Sequence, residues 1–312
     1  MESLSYTPLV SVVVVTYNSS RFLLEALEAI KAQTYRNIEL IITDDCSKDD
    51  TVRLCGEWLG ANEGRFVSSR VMAADKNGGL TVNCNKGVSA SKGDWLKLIA
   101  GDDILLPNCI EDNVRYVLEH PHTGVVFSGA HVIDDESSFL GMHMNMDTFF
   151  SYSPARQLAI LLNVNCVLSC TMFLEREMLL REGGFDNAYP MLEDHPLWIR
   201  LLKKDYSFGY FSRKTVCYRV HASSVSNGSK KRNPVFVKSW RDFARNVRLP
   251  EAKKISTWLF ISVQIDLMLF SVKEKLPTGF YKLMFPVAYF RAYWYYVYSF
   301  YSPFKRVFSE SE

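Results

Sequence analysis

A run near the start of the chain, Val10–Val15, limits the possible folds more than any other feature, because five of its six residues are valine. A strand without alternating polar residues must be buried on both faces. Further strands are predicted over Glu39–Thr43, Phe66–Ala73, Trp95–Ala100 and Val125–Ser128. Helix-forming stretches separate these runs, and strands that alternate with helices form mostly parallel, doubly wound sheets. The sequence therefore predicts an α/β fold over this part of the chain.

The stretches between the runs carry helix signals. Ser19 or Ser20 is expected to cap one helix, Asp49 is expected to cap the next, and Pro107 fits the first turn of another. Beyond residue 130 the predicted elements become shorter and mixed. Further helices are predicted over Thr81–Ser91, Pro154–Leu162 and His195–Lys204, and further strands over Ser169–Leu174 and Val216–Val220.

Two pairs of adjacent acids follow two of the apolar runs, Asp44-Asp45 and Asp102-Asp103. Strand ends lie at the carboxyl edge of the sheet, where open α/β folds bind ligands. Neighbouring carboxylates repel each other unless a cation or protons intervene. A hard divalent metal that joins Asp102-Asp103 to a diphosphate explains this pair economically. One such pair is also consistent with solvated loop acids, whereas two pairs favour a phosphate-bearing substrate.

Further polar motifs are candidate binding elements, although each alone also fits an ordinary structural role. Thr16-Tyr17-Asn18 offers an aromatic face to a base or ribose, or is a simple turn. Asp45 is an acceptor suited to an imide N–H such as that of uracil. Asn77-Gly78-Gly79, with Asn85, permits close backbone approach and donates to sugar or phosphate oxygens, or forms a turn and a helix.

Two motifs late in the chain are candidates for chemistry. Glu193-Asp194 directly precedes a predicted helix, so the acids are either caps or a general base near a metal-held diphosphate. His221 closes a predicted strand, and it is either a metal ligand or a surface histidine. The seven cysteines are scattered without metal-type spacing, which indicates reduced thiols. With no N-terminal signal, we expect a cytoplasmic protein.

The net charge of +2 conceals a strong asymmetry. Residues 1–202 hold 16 Lys and Arg against 27 Asp and Glu, whereas residues 203–312 hold 20 against 7. Such a separation indicates an acidic, metal-binding front and a basic rear that faces an anionic partner. The candidates for this partner are nucleic acid, phospholipid headgroups or a phosphorylated acceptor.

The C-terminal region is basic and then aromatic. Residues 224–254 are polar and basic, and they are interpreted as a linker or an exposed surface. Residues 251–312 carry 17 of the 42 aromatic residues, with no apolar run long enough to span a membrane. Aromatic residues within Phe280–Tyr296 fall near helical spacing, which suits a helix lying on a membrane surface. The alternative is that they pack against the first domain or a second subunit.

Taken in order, these motifs resemble those of the family 2 glycosyltransferases, which are inverting enzymes with the GT-A fold. The resemblance runs from about Leu9 to Ser226, and it rests on VSVVVVTYN, AQTY, IELIITDDCSKDDT, NGGLTVNCNKG, GDWLKLIAGDD, GGFD, EDHPLWIRL and YRVHASSVS. No single motif is decisive, whereas the ordered set is highly specific. It implies a GT-A domain over residues 1–226, followed by a basic and aromatic helical region over residues 227–312.

The resemblance also implies roles for individual residues. The residues expected to bind the nucleotide-sugar are Thr16, Tyr17, Asn18, Asp45, Asn77, Asn85 and Asp102. Asp103 would ligate Mn²⁺ or Mg²⁺ together with the diphosphate oxygens, and His221 would complete the metal site. Asp194 would be the catalytic base, oriented by Glu193. Many members have an arginine where this chain has Cys84, so a phosphate contact is expected instead from Lys76, Lys86 or Arg219.

The implied reaction moves a hexose or N-acetylhexosamine from a UDP-sugar to a hydroxyl of a lipid-linked glycan, forming a β-glycosidic bond. The expected setting is the inner face of a bacterial plasma membrane, during assembly of a surface polysaccharide such as O-antigen or capsule. An anionic membrane surface is the expected partner, nucleic acid is not, and a homo-oligomer is left open.

Two other functions compete with this interpretation. A metal-dependent nucleotidyltransferase usually carries a glycine-rich basic loop after its first strand, and Thr16–Arg21 contains no glycine. A non-catalytic nucleotide-binding module would be much shorter than this chain, and it would leave Glu193-Asp194 without a task.

Overall fold

The computed structural model describes residues 7–142, 146–221 and 233–273. The strands are β1 (Val10–Thr16), β2 (Ile38–Asp44), β3 (Ser68–Ala73), β4 (Trp95–Ala100), β5 (Ile104–Leu105), β6 (Val125–Ile133), β7 (Phe139–Met142), β8 (Phe173–Glu175) and β9 (Phe208–Arg219). The helices are α1 (Leu23–Lys31), α2 (Thr51–Asn62), α3 (Leu80–Ala90), α4 (Cys109–Glu119), α5 (Asp147–Phe150), α6 (Pro154–Asn163), α7 (Arg176–Arg181), α8 (Asp194–Leu202), α9 (Pro234–Phe243), α10 (Leu249–Ile255) and α11 (Thr257–Lys273).

The chain divides into two compact units, residues 1–240 and residues 241–312. The boundary predicted from the sequence, between residues 226 and 227, falls within residues 222–232, which lie outside the described part of the chain.

Parallel strands form the front half of the sheet, as the apolar runs predict. In the order β3-β2-β1-β4, each strand runs parallel to its neighbour, and every residue of β1 and β2 is buried. Val12 and Val14 share a core cluster with Leu23 and Leu27 of α1. Burial of each such side chain contributes about 1.5–3 kcal/mol.

The opposite face of β1 meets α3 at unusually short range. A Cβ added to Gly87 would lie 2.3 Å from a methyl carbon of Val13. Only glycine therefore permits the observed approach of α3 to the sheet. This approach places the N-terminal end of α3 beside the carboxyl edge of β1 and β2.

The sheet becomes mixed beyond β4. The order continues β4-β8-β6-β9-β5, in which β8 is antiparallel to both β4 and β6, and β6 is parallel to β9. β7 pairs antiparallel with β6, and β5 pairs antiparallel with β9. The first unit is thus an α/β fold with a single mixed sheet, and its carboxyl edge carries the predicted site.

One predicted strand is wrong over most of its length. Ser169–Thr171 form a 3₁₀ turn, and β8 begins only at Phe173. Lys97 on β4 explains the turn, because its fully buried ammonium donates to the carbonyls of Cys170 at 2.7 Å and Met172 at 3.1 Å. These carbonyls are turned toward a side chain rather than a neighbouring strand. We call Ser169–Met172 the lysine-bound turn.

The cap predicted for α1 is also wrong. The helix begins at Leu23, and neither Ser19 nor Ser20 caps it with a side-chain hydrogen bond. Their N–H groups instead donate to Thr51 Oγ1 at 2.8 Å and Asp49 Oδ2 at 3.1 Å. The other carboxylate oxygen of Asp49 accepts the N–H of Thr51, the first residue of α2, at 3.1 Å, and the predicted cap by Asp49 stays a prediction.

The basic stretch interpreted as a linker or an exposed surface is helical where it is described, so the linker interpretation is wrong, whereas Lys238, Arg245 and Lys253 do lie exposed on its surface. α9 leads into a π-helical turn at Ala244–Arg248, which α10 and α11 follow. In the second unit, the buried guanidinium of Arg248 pairs with Asp266 of α11 at 2.8 Å. No helix in the described residues is long and apolar enough to cross a membrane. The aromatic helix predicted within Phe280–Tyr296 lies outside the described residues.

Candidate active site

The carboxyl edge of the sheet is built first around Asp44, the last residue of β2. Its buried carboxylate accepts the hydroxyl of Thr16 at 2.8 Å and both the N–H and the hydroxyl of Ser47. Thr16 and Asp44 are register partners on adjacent parallel strands. These contacts show that Asp44 and Thr16 fix the edge itself, which places the following residues, Tyr17 and Asp45, above it.

Asp45 binds the loop that precedes α3. Its two carboxylate oxygens accept the N–H groups of Gly78 at 2.7 Å and Gly79 at 2.8 Å, and its carbonyl accepts the Asn77 amide at 3.1 Å. Gly79 has φ 91°, and a Cβ there would lie 3.1 Å from the carbonyl oxygen of Pro190. The structure therefore brings two predicted binding residues, Asp45 and Asn77, into direct contact.

Tyr17 and Asn18 lie beside this loop with different exposure. The ring of Tyr17 is 52% exposed, so it presents an open face at the edge. Asn18 has φ 50°, and its amide oxygen accepts the N–H of Lys48 at 2.8 Å. Its own N–H donates to Ser47 at 2.7 Å. Asn18 thus stabilises the turn, while Tyr17 is open to a planar ligand.

Asn85, on α3, is bound to the segment after α7. Its amide donates to the carbonyl of Phe185 at 2.8 Å and accepts the Phe185 N–H at 2.9 Å. It also donates to Asn187 at 2.9 Å. The predicted contact of Asn85 with a nucleotide-sugar remains a prediction, and the contacts described here hold the GGFD segment against α3.

The second acid pair lies at the end of β4 beside the end of β9. Asp103 is buried, and one of its oxygens accepts the N–H of Arg219 at 2.8 Å. His221 lies against the other acid, with 2.8 Å between its Nε2 and Asp102 Oδ2. Burial, and then the charge of Asp102, raise the pKa of the Asp103 carboxyl well above its ordinary value. This carboxylate therefore needs either a proton or a cation.

Two of the three residues expected to replace the missing arginine are engaged elsewhere. The guanidinium of Arg219 donates to the carbonyls of Asp102 and Asp134 and pairs with Glu25 at 2.6 Å. The ammonium of Lys86 donates to the Met72 carbonyl at 3.1 Å. Lys76 is exposed, immediately before the Asn77 loop. The geometry therefore favours Lys76 for the predicted phosphate contact.

Glu193 and Asp194 lie where α8 begins, and each acid has a separate hydrogen-bond donor. Asp194 accepts the Asn165 amide at 2.8 Å and the His195 N–H at 2.5 Å. Glu193 accepts the hydroxyl of Ser169 on the lysine-bound turn. Burial raises the pKa of both acids, and the charge of Asp194 adds to the shift that brings the pKa of Glu193 to about 8.

Three of the predicted site residues, Asp45, Glu193 and Asp194, lie near α3 although they come from distant parts of the chain. The buried Cys84 thiol lies within electrostatic range of Glu193, Asp194 and Asp45, whose charges add to the effect of burial in raising its pKa. Cys84 therefore lies near both the acid that holds the Asn77 loop and the acids at the start of α8. A buried thiol occupies the position where the resemblance predicts an arginine.

Sequence reasoning missed Asn165, Ser169 and Lys97. Asn165 and Ser169 contact the two late acids, and Lys97 holds the turn that carries Ser169. Asn165 follows α6 and has no motif around it, so nothing in the sequence marked it. Lys97 did carry a signal, because a lysine inside the apolar run Trp95–Ala100 must find buried acceptors.

No three His, Cys, Asp or Glu side chains within residues 7–142, 146–221 and 233–273 are grouped as a complete metal site. The predicted ligand set contains only Asp103 and His221 from the protein, together with diphosphate oxygens. Metal binding by Asp103 and His221 therefore stays a prediction.

We expect Glu193→Gln to make the protein more stable than wild type at alkaline pH. With a pKa near 8 in the fold against an ordinary value of 4.5, Glu193 loses its proton more readily in the unfolded chain. Stability is therefore lost as pH rises from about 4.5 to 8, and the amide removes this loss. The gain over wild type should grow by on the order of 2–4 kcal/mol between pH 5 and pH 9. Urea unfolding at both pH values measures it.

Glu57→Gln is the matched control for this experiment, because Glu57 lies exposed on α2 in an ion pair with Arg53. Its stability difference from wild type should change little with pH. An equal pH dependence in the two variants would contradict the raised pKa of Glu193.

Comparison with known proteins identifies the family of this chain. The family model described as glycosyl transferase family 2 matches residues 11–183. An uncharacterised glycosyltransferase of Rickettsia typhi is 27% identical over 266 residues, which are 84% of this chain and 80% of that protein. The putative glycosyltransferase EpsE of Bacillus subtilis is 26% identical over 225 residues, 70% of this chain and 74% of that protein.

A solved structure supports the same fold. Residues 1–349 of S. aureus TarS, in complex with UDP-GlcNAc, match with a TM-score of 0.58 at 19% identity, over 77% of this chain and 66% of that chain. The match covers only 39% of a longer TarS chain. The family resemblance and the α/β fold predicted from the sequence are therefore confirmed. The chain belongs to glycosyl transferase family 2, and its first unit has the GT-A fold.

Proposed function

We propose that this glycosyltransferase moves a hexose or N-acetylhexosamine from a UDP-sugar to an acceptor hydroxyl, with inversion at the anomeric carbon. The observation that carries the proposal is the position of the lysine-bound turn between the two acid groups. Ser169 of this turn donates to Glu193, while Cys170 lies within electrostatic range of Asp103 and Asp102. Donor-binding acids and a candidate base thus flank one turn. The UDP-GlcNAc complex of TarS supports a UDP-sugar donor.

The chemistry follows from the acids at the start of α8. Asp194 accepts the proton of the acceptor hydroxyl while the oxygen of that hydroxyl attacks the anomeric carbon. The bond from that carbon to the diphosphate oxygen breaks, and UDP leaves from the opposite face of the sugar. One displacement inverts the anomeric centre, so an α-linked donor yields a β-glycoside. Asp45 and the exposed ring of Tyr17 would hold the uracil, and Asp102 the ribose.

The residues around Asp103 fit a hard divalent cation. Asp103 is buried beside a second carboxylate, and the Arg219 N–H bonds only to its Oδ1. Asp103 and His221 would hold Mn²⁺ or Mg²⁺, for which oxygen and imidazole ligands are suitable. The cation would neutralise negative charge that grows on the diphosphate leaving group.

The experiment that tests the function is release of UDP from a panel of donors. UDP-glucose, UDP-galactose and UDP-N-acetylglucosamine are incubated with the full-length protein in Mn²⁺ buffer, and UDP is measured over time. We expect slow hydrolysis of at least one donor, with an inverted anomeric configuration in the sugar released at early times. Retention of configuration would reject the inverting mechanism, and no release from any donor would reject the proposed function.

The proposed acceptor is a glycan linked to a polyprenyl diphosphate at the inner leaflet. Residues 203–254 hold 14 Lys and Arg against 3 Asp and Glu, a charge that complements both the diphosphate and anionic headgroups. Such an acceptor would place the enzyme in the assembly of a bacterial surface polysaccharide.

We expect the full-length protein to sediment with anionic liposomes in low salt, and a chain that ends near Asn246, without the aromatic-rich tail, to stay mainly in solution. Each basic residue near an anionic leaflet adds about 1 kcal/mol of attraction, and the aromatic residues after Lys273 add apolar contact. Sedimentation with liposomes of 30% phosphatidylglycerol measures the bound fraction, and neutral liposomes are the control. If the full-length protein ignores anionic liposomes in low salt, the membrane proposal is wrong.

A further inference from the structure

The carboxylate of Asp194 is held from two sides. Its Oδ2 accepts the Asn165 amide at 2.8 Å, and its Oδ1 accepts the N–H of His195 at 2.5 Å. The contact with the His195 N–H comes from the backbone at the start of α8, so it does not depend on the side chain at position 195. The contact from Asn165 comes from a different segment, 29 residues earlier in the chain.

The orientation of the Asn165 amide follows from its second contact. Its Oδ1 accepts the N–H of Val167 at 3.4 Å, which directs Nδ2 toward Asp194. An ionised carboxylate only accepts hydrogen bonds, so the flipped amide would place two acceptors face to face. The Asn165 side chain therefore presents a donor to Asp194 and has no equivalent alternative.

The segment that carries Asn165 is fixed at both ends. Before it, the ring Nε2 of His195 donates to the Leu161 carbonyl at 2.6 Å, which holds the end of α6 against the first turn of α8. After it, the buried ammonium of Lys97 holds the lysine-bound turn. Asn165 thus lies between two anchors, one of which is the residue next to Asp194.

We propose that Asn165 is a positioning residue, whose amide orients the Asp194 carboxylate toward the acceptor hydroxyl. This inference rests on the proposed function, in which Asp194 is the base. The hydrogen bond fixes the plane of the carboxylate and favours its ionised form, which is the form that accepts a proton. A carboxylate without this donor rotates away from the attacking oxygen and holds its own proton to higher pH.

Two variants separate these effects. Asn165→Leu is similar in size and removes the donor, and Asn165→Asp keeps the shape but replaces the donor with a second acid. We expect kcat at pH 7 to fall about 10-fold to 100-fold in both, the range for loss of one hydrogen bond to a charged group. The KM for the donor should change little. The acidic limb of the kcat profile should move to higher pH, farther for Asn165→Asp because two like charges repel.

The assay measures UDP release from the fastest of UDP-glucose, UDP-galactose and UDP-N-acetylglucosamine, between pH 5 and pH 9. Asn37→Asp is the matched control, because the Asn37 amide donates to the Thr7 carbonyl at 2.8 Å at the opposite edge of the sheet. This control should keep the wild-type kcat and pH profile. Urea unfolding verifies that all variants are folded. We expect them to fold because Asn165 is exposed.

The outcomes separate this inference from the function on which it rests. An active wild type with Asn165 variants that keep its kcat and acidic limb would overturn the positioning role alone. A wild type that releases no UDP from any donor would overturn both. A lower kcat with an unmoved acidic limb in both variants would also reject the role, because it would indicate a structural defect only.

Discussion

Asp194→Asn should abolish sugar transfer while it leaves nucleotide binding nearly intact. The amide keeps the size of the side chain, but it cannot accept a proton from the acceptor hydroxyl. Loss of a general base costs about 10²–10⁴ in rate. UDP affinity, measured by calorimetry in Mn²⁺ buffer, should stay within about twofold, because Asp194 is not among the predicted nucleotide-binding residues. UDP release from the preferred donor measures the loss of rate.

Asp205→Asn provides the control for this substitution at the other end of the same helix. Asp205 follows α8 with φ 59°, a conformation that asparagine adopts as readily as aspartate. This variant should behave as wild type in both measurements. An Asp194→Asn protein that retained more than a tenth of wild-type turnover would refute the assignment of Asp194 as the base.

Asp103→Asn should lower turnover by a similar factor, while it leaves the stability of the metal-free protein unchanged or higher. Loss of one charged ligand removes several kcal/mol of stabilisation of the leaving group, so turnover should fall about 10²-fold or more. Binding of Mn²⁺ with UDP, followed by calorimetry, should weaken as well. Without metal, the variant should unfold at an equal or higher temperature than wild type, because burial and Asp102 disfavour the charge of Asp103.

Asp50→Asn, on the exposed start of α2, tests whether any aspartate substitution has these effects. Excess EDTA should reduce wild-type turnover to the level of Asp103→Asn, and added Mn²⁺ should restore it. Full activity of wild type in EDTA would refute the metal role. If His221→Ala bound Mn²⁺ as wild type does, Asp103 would remain a ligand and the contact of His221 with Asp102 would be structural.

The front half of the fold could be predicted because its signals are local. β1, β2 and β4 are apolar runs whose burial is evident from composition, and β4 begins and ends at the predicted residues, Trp95 and Ala100. The lysine-bound turn could not be predicted, because apolar residues around it resemble a strand. Its conformation depends on Lys97, more than 70 residues earlier in the chain. Basic residues similarly concealed the helical character of α9 and α10.

The site shows the same division between local and distant information. Asp45, Asp103 and Asp194 follow recognisable motifs, and the structure gathers them around α3 and the lysine-bound turn. Their partners do not follow motifs. Asn165 meets Asp194 only because α6 is docked on α8, and Gly78 meets Asp45 only because α3 lies close to the sheet. Contacts of this kind depend on tertiary packing, which a single sequence does not encode in a readable pattern.

Because Lys97 is fully buried, the reactivity of its amine reports on local opening of the sheet around β4. An amine that has no exposed surface and whose hydrogens are engaged with two carbonyls reacts with acylating reagents only after the surrounding strands separate. Exposed lysines such as Lys76 are labelled quickly, whereas acylation of Lys97 is limited by how often β4 and the turn separate. Mass spectrometry of acylated Lys97 therefore measures local opening of β4 and the lysine-bound turn at a single side chain.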